Sequence, residues 1–147
     1  MSNIVNYIKG VVEGFDLPFY YDNKGVANVK FDKATFPIGY LMCIESADID
    51  LGVGCYSESA DCLLFFLEKA TRIDFDGTEN QAKIDDMKQY ALYFIKSVLA
   101  SNQFKFVGDK VTMEMVFDYD DANTTGVVLK FKLKESGAIC ITIPDFS

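Results

Sequence analysis

The sequence predicts an α+β fold: an antiparallel sheet of mixed strand lengths, with one long amphipathic helix and a shorter N-terminal helix packed on one face. Three observations predict it. Apolar residues recur at helical spacing near the N-terminus and again from about Thr78 to Ala100. Other apolar residues form strand-length runs or alternate with polar ones. The strands are grouped rather than interleaved with helices, which favours a two-layer α+β domain over a doubly wound α/β fold. At 147 residues, half of them apolar and 14% aromatic, the chain has the length of a single domain (1–147) with a real core.

The elements follow in order. Ile4, Val5, Ile8, Val11, Val12 and Phe15 make an apolar stripe, so Asn3 to about Glu13 reads as a helix. Ser2 or Asn3 is its expected N-cap, and Gly14 fits the position just past its end. Asp22-Asn23-Lys24-Gly25 is a turn signal, and Val26 to Phe31 reads as a short or edge strand. Phe36 to Glu45 reads as a strand with Pro37 at its start or on an edge. Asp48 to Tyr56 carries Gly52 and Gly54 and fits either a bulged strand or a loop. Asp61 to Ala70 is apolar on both faces, as a central strand is.

The helix from about Thr78 to Ala100 presents Ile84, Met87, Ala91, Phe94, Ile95 and Val98 as one stripe. Thr78 with Gln81 fits a capping box. Glu79, Asp85 and Asp86 suit the positive end of its dipole, and Lys96 the negative end.

Three strands then read as a meander. Val111, Met113, Met115 and Phe117 alternate with polar residues, as do Val127, Leu129, Phe131 and Leu133. A loop at Tyr119 to Thr125 predicts Met113 opposite Phe131, Met115 opposite Leu129, Phe117 opposite Val127, and Glu114 opposite Lys130. Glu135-Ser136-Gly137 is expected to turn the chain, with Ile139, Ile141 and Ile143 continuing the apolar face. The helix stripe and the meander each have one apolar face, and burying them together satisfies both.

Charge and composition narrow the function classes. The net charge is −8, with 22 acidic against 14 basic residues, which disfavours non-specific binding to nucleic acid or to an anionic membrane. No run approaches the length that spans a bilayer, and the N-terminus is a poor signal peptide. The chain is therefore expected to stay in the cytoplasm where it is made. The missing export signal favours the reduced form of Cys43, Cys55, Cys62 and Cys140, and three of them lie in apolar, strand-like stretches, so they read as structural rather than as a disulfide or a metal site, whose paired short spacing is missing.

The chain has no histidine, which removes the commonest general base and the usual triads. Phosphate-binding glycine motifs and a nucleophile elbow are absent from the sequence. No enzyme is expected, with no catalytic residue and no cofactor. Two acidic clusters stand as cation candidates: Asp74, Asp76, Glu79 and Asn80, and the hairpin-loop set Asp118, Asp120, Asp121 and Asn123. Both fail the EF-hand pattern, and local turn formation explains Asp and Asn there. Phe19, Tyr20 and Tyr21, beside Pro18, fit core or interface packing better than ligand stacking.

Taken together, the amphipathic helix Ile4 to Phe15, the strand at Phe36-Pro37-Ile38, the long helix Thr78 to Ala100 and the hairpin segment Asp121-Ala122-Asn123-Thr124-Thr125-Gly126-Val127 resemble the tail-terminator and tail-completion proteins of long-tailed phages and prophages. The resemblance lies in element order and covers most of the chain. It implies a non-enzymatic, ring-forming component that caps the tail tube, with itself and other tail or head-connector proteins as partners. It also adds the host bacterium's cytoplasm or the virion as the expected place of the chain. Ring subunits meet through heterologous contacts. Edge strands, Phe19, Tyr20, Tyr21 and the loop residues Asp120 and Asp121 are the contact points it suggests. The alternative from another class is a small acidic adaptor or immunity-type module that meets a basic partner.

Overall fold

The computed structural model describes residues 2–23, 26, 27, 30, 34–69, 77–119, 124–137 and 139–140, and for 2, 77–80, 118, 119 and 139 their backbone alone. Its elements are α1 (Ser2–Gly14), β1 (Phe19–Asp22), β2 (Ile38–Met42), β3 (Ala47–Leu51), β4 (Cys55–Lys69), α2 (Gly77–Ala100), β5 (Phe104–Phe106), β6 (Thr112–Tyr119), β7 (Thr124–Glu135) and β8 (Ile139–Cys140). The strands form one sheet ordered β1-β2-β4-β7-β5, with β3 and β8 pairing β4 and β6 pairing β7. This is the expected α+β sheet with both helices on one face. All its pairings are antiparallel except β1 with β2.

The core forms where α1 and α2 lie on β4 and β7. Ile4, Ile8 and Val12 of α1, and Ile84, Met87, Ala91, Phe94 and Val98 of α2, are buried against Leu64, Phe66, Leu129 and Leu133. Phe94 meets Phe131 with ring centroids 5.4 Å apart, so the helix stripe and the hairpin face do cover each other. A smaller cluster, with Ile38, Tyr40, Phe65, Leu67 and Val128, lies on the opposite face, where Ala27 and Ala34 help to cover it; towards β3 and β5 that face is open.

The structure corrects several local expectations. Asn3 lies inside α1, where its amide donates to Glu135, rather than capping it. Gly14 is the last residue of α1, and the left-handed position falls at Asp16 (φ 61°). Val26, Ala27 and Lys30 are helical, not strand; Asn23 starts that turn by accepting from Val26 N–H at 3.0 Å through its side chain. Lys24, Gly25 and Phe31 lie outside the described residues, as do Ile141 and Ile143. β2 is the core of the expected strand, and Pro37 precedes it in a cis peptide bond. The long helix begins at Gly77; the expected Thr78 cap lies outside the described side chains.

The hairpin register differs by two residues from the expected one. Met113 faces Leu129, Met115 faces Val127 and Glu114 faces Val128, with a bulge between Val116 and Tyr119. A two-residue slip keeps every side chain on its face, so alternation cannot detect it. Glu114 still reaches Lys130, diagonally, at 2.9 Å.

The C-terminal turn is also corrected. Glu135-Ser136-Gly137 does not reverse the chain. β8 runs on in the direction of β7 and pairs the remaining length of β4, Cys55 opposite Cys140 and Tyr56 opposite Ile139. β4 has 15 residues and β7 only 12, so part of β4's edge is left for β8 to satisfy.

That path brings Cys55 and Cys140 into a disulfide, which overturns the reduced state expected of them; Cys43 and Cys62 are free. The bond closes a chain loop over a sequence separation of 85 residues. By the chain-entropy argument such a crosslink stabilises by about 4.5 kcal/mol. Cys140→Ser should therefore lower the melting temperature under non-reducing conditions, and dithiothreitol should shift the parent but not the variant. Equal shifts in both would count against the crosslink.

Candidate interaction surface

The expected ambiguity at 48–56 resolves into a hairpin. β3 and β4 are joined at 52–54, where Gly52 N–H donates to the Cys55 carbonyl at 2.8 Å and Gly54 takes a positive φ of 71°. All five residues of β3 are exposed. Ala47 faces Ala60, a core residue beneath the helices, so Ala47, Ile49 and Leu51 point to the helix side and Asp48 and Asp50 to the open face. Ile49 is 60% exposed, Leu51 86% and Val53, at the tip, 103%.

Among the described residues, β3 pairs β4 on one side and nothing on the other. Its outer N–H and C=O groups are a template for another strand. Of the devices that blunt an edge, lysine, proline and a bulge are missing from Ala-Asp-Ile-Asp-Leu, while its five-residue length and the charges of Asp48 and Asp50 limit what can pair with it.

One row of residues crosses the open face at this height. Asp48 faces Ser59, Ser59 faces Lys134, and Lys134 faces Lys105 on β5. The row is acidic at the β3 edge and basic at the β5 edge. Lys132, one step along β7, binds Asp48 and lies 3.7 Å from Asp61. Its hydrogen bond to Asp48 is the main cause that raises its pKa, against a smaller opposing effect of desolvation. That contribution to stability is present below the ordinary lysine pKa and fades as pH rises through the raised one.

Sequence alternation alone expects Lys132→Asp to be neutral. The structure instead gathers three carboxylates on replacement, so the melting temperature should fall modestly and recover with added salt. A salt-independent fall would argue against the cluster.

Lys105 and Lys134 have no carboxylate partner among the described residues, although like charges directly opposed are unfavourable. Asp50 likewise has no ion partner there. On the helix side of β5 lies a groove of about 500 Å³, lined by Ile95, Leu99, Phe104, Phe106 and Val111 among others. Leu99 at its rim is 72% exposed. Further along the same edge, β6 exposes Met115 (45%) and Phe117 (58%).

The contact residues expected from the sequence lie elsewhere. Phe19 packs against the main core and Tyr20 against the smaller cluster. Tyr21 is exposed, and its hydroxyl accepts from Ile44 N–H at 3.1 Å. The three form β1, an edge strand, which does place them at one border of the sheet. Asp120, Asp121 and Asn123 lie outside the described residues, as do Asp74 and Asp76; Asp118, Glu79 and Asn80 are described by backbone alone. Among the described residues, no three His, Cys, Asp or Glu side chains are placed to hold a metal ion.

The free thiols share a cleft of about 520 Å³ with Glu45, Asp61 and Lys130, where the chain leaves β2 before β3. Burial, and secondarily the Asp61 carboxylate, pushes the Cys62 thiol up to about 12. It is a neutral core group at physiological pH and a poor nucleophile.

No family model and no curated protein matches this chain. Among the described residues no helix is long and apolar enough to cross a membrane.

The thiols supply a pH test. In the unreduced native protein a maleimide should label Cys43, while Cys62 stays unmodified through a pH of about 9, because its raised pKa holds it protonated well above the ordinary thiol range. Equal labelling of the two at a pH of about 8, near the ordinary thiol pKa, would contradict this placement.

Proposed function

We propose that the chain is a non-enzymatic assembly component, of the tail-terminator or tail-completion kind, that joins copies of itself and neighbouring tail or connector proteins through its sheet edges. The observation that carries the reading is β3: an exposed edge strand with Ile49 and Leu51 in solvent on an arm that ends at Val53. Neighbouring apolar residues this exposed on one side of a strand support a contact surface there. The element order of the phage family supports the same reading.

Mass in solution, by light scattering across a concentration series with negative-stain images of large species, tests it. A ring or a concentration-dependent oligomer is expected. A strict monomer at high concentration would sink the reading. It would favour the acidic adaptor or immunity-type module instead, whose edge carries Asp48 and Asp50 and whose partner affinity would fall steeply with salt.

A further inference from the structure

Two rows of residues cross the whole sheet and join its outer borders. Phe19 of β1 faces Gly39, Gly39 faces Phe66, Phe66 faces Val127, and Val127 faces Met115 of β6. The second row runs from Tyr21 through Leu41, Leu64 and Leu129 to Met113. β1 and β6 therefore lie at the same height on opposite borders. Their faces agree, because Phe19 and Met113 both pack against the core under the helices. Their directions also suit pairing. β1 is parallel to β2, and β2, β4, β7 and β6 then alternate, so β1 and β6 run oppositely.

The outward backbone groups match as well. Gly39 N–H donates to the Pro18 carbonyl and Cys43 N–H to the Asp22 carbonyl. The even-numbered residues of β1 thus face β2, and Phe19 and Tyr21 turn their N–H and C=O outward. Val107 N–H donates to the Lys132 carbonyl, so the even-numbered residues of β7 face the β5–β6 side. They meet Thr112, Glu114 and Val116, which leaves Met113 and Met115 turned outward. Among the described residues neither outer edge is paired.

We propose that β1 of one copy pairs antiparallel with β6 of a second copy, Phe19 opposite Met115, Tyr20 opposite Glu114, Tyr21 opposite Met113 and Asp22 opposite Thr112. A sideways shift of one copy along the sheet gives this register, with the helices of both on the same face. The outward groups of Phe19 and Tyr21 then meet those of Met115 and Met113, as a hydrogen-bonded ladder requires. On the helix side, the exposed Tyr21 and Met115 gain apolar neighbours. On the other face no like charges are directly opposed, and Asp22 and Glu114 keep their own lysines, Lys30 and Lys130. Two β3 strands suit each other less, since a register centred on Ile49 sets Asp48 against Asp50 twice. The bulge of β6 lies beyond Val116, outside the paired stretch.

Nothing in the two sheets competes for the same place. β5 lies at the height of β3, in one row from Ala47 through Ala60 and Leu133 to Phe106. β1 stands one strand outside β3, so the neighbour's β5 stays two strand spacings, about 10 Å, from β3. The β3 edge is left for the other partners of the assembly reading. The contact is heterologous, since each copy keeps a free β1 edge or a free β6 edge at its two ends, and repetition closes a ring or grows a filament. The assignment rests on the self-assembly reading and adds which edges meet and in what register.

Crosslinking tests it. Asp22 and Thr112 would form a non-hydrogen-bonded pair, with Cα atoms about 4.5 Å apart and within reach of a disulfide. In a Cys43→Ser background, a chain carrying both Asp22→Cys and Thr112→Cys should give, on mild oxidation, a ladder of covalent oligomers on a denaturing gel that dithiothreitol collapses. Each of the two replacements alone should stay unlinked. Independently, Met115→Asp should raise the concentration needed for half-association, read by light scattering, by about tenfold or more, because it sets a carboxylate against the Phe19 ring. Melting curves close to that of the parent would verify folding of every variant. A double-cysteine variant that associates without forming a ladder would overturn the register. Efficient linking by Thr112→Cys alone would mean that two β6 strands meet, and by Asp22→Cys alone that two β1 strands do. Either result, or Met115→Asp associating at the parent concentration, would overturn the edge assignment and leave self-assembly standing. A parent that stays monomeric at every concentration would overturn both the assignment and the assembly reading.

Discussion

Phe131→Asp should abolish the cooperative thermal transition and drive the protein into aggregates. Phe131 is 7% exposed and sits at the centre of the helix–sheet contact. Its ring lies 5.4 Å from that of Phe94 and 5.5 Å, edge-on, from that of Phe106. Losing the buried ring alone costs about 3–5 kcal/mol. The carboxylate then meets an apolar wall, which adds several kcal/mol more. Together these rival the whole stability of a typical domain, about 5–15 kcal/mol. Near-ultraviolet circular dichroism and a melting scan read the result. A melting temperature within a few degrees of the parent would remove Phe131 from the core. Lys132→Asp, one residue on but on the opposite face, is the matched comparison and should leave a folded protein.

Gly126→Ala should destabilise by about 3 kcal/mol or more, a large effect for one methyl group. Gly126 is buried in β7 between Leu67 of β4 and Val116 of β6. A Cβ built there would overlap the Phe66 carbonyl oxygen and lie 3.1 Å from the Leu67 Cα. These are backbone atoms of the central strand and cannot swing aside, so the β4–β7 ladder must open. The same replacement at Gly10, on an exposed position of α1 with nothing within 4 Å, should instead stabilise by about 0.5–1 kcal/mol. Urea denaturation of the two variants decides it. Equal effects would mean that the close approach at Gly126 relaxes freely.

Gly126 also shows where sequence reasoning runs out. In the sequence it marks the end of a loop and the start of an alternating run. Only the strand beside it reveals that its missing side chain is a packing requirement. The register difference in the same hairpin has a related origin. Alternation places Met113 and Met115 on the correct face but opposite partners two residues too far along: the pair beside the turn, Tyr119 with Thr124, is already one residue off the expected register, and the bulge between Val116 and Tyr119 adds the second.

The proposed interaction surface is the least legible part. Phe19, Tyr20 and Tyr21 stand out by composition, and Phe19 and Tyr20 pack against core clusters, one of the two uses expected of them. Ile49 and Leu51 lie in a segment balanced between strand and loop, since Asp-Ile-Asp-Leu alternates whether or not anything covers its apolar side. Lys105 and Lys134 belong to strands far apart in the chain and come together only because β5 lands on β7.

Local patterning is enough to settle most of the long elements, which side of each is apolar, and that one helix stripe must cover the final hairpin. These properties follow from the 3.6-residue and two-residue side-chain periods and from the unfavourable free energy of an apolar stripe in water. Which strands are neighbours, that β8 runs on along β4 to join Cys140 to Cys55, and that β3 pairs only β4 among the described residues are decided only when the chain packs. Those outcomes depend on the relative lengths of strands distant in sequence and on how many backbone groups each leaves to be paired, and no local pattern carries that information.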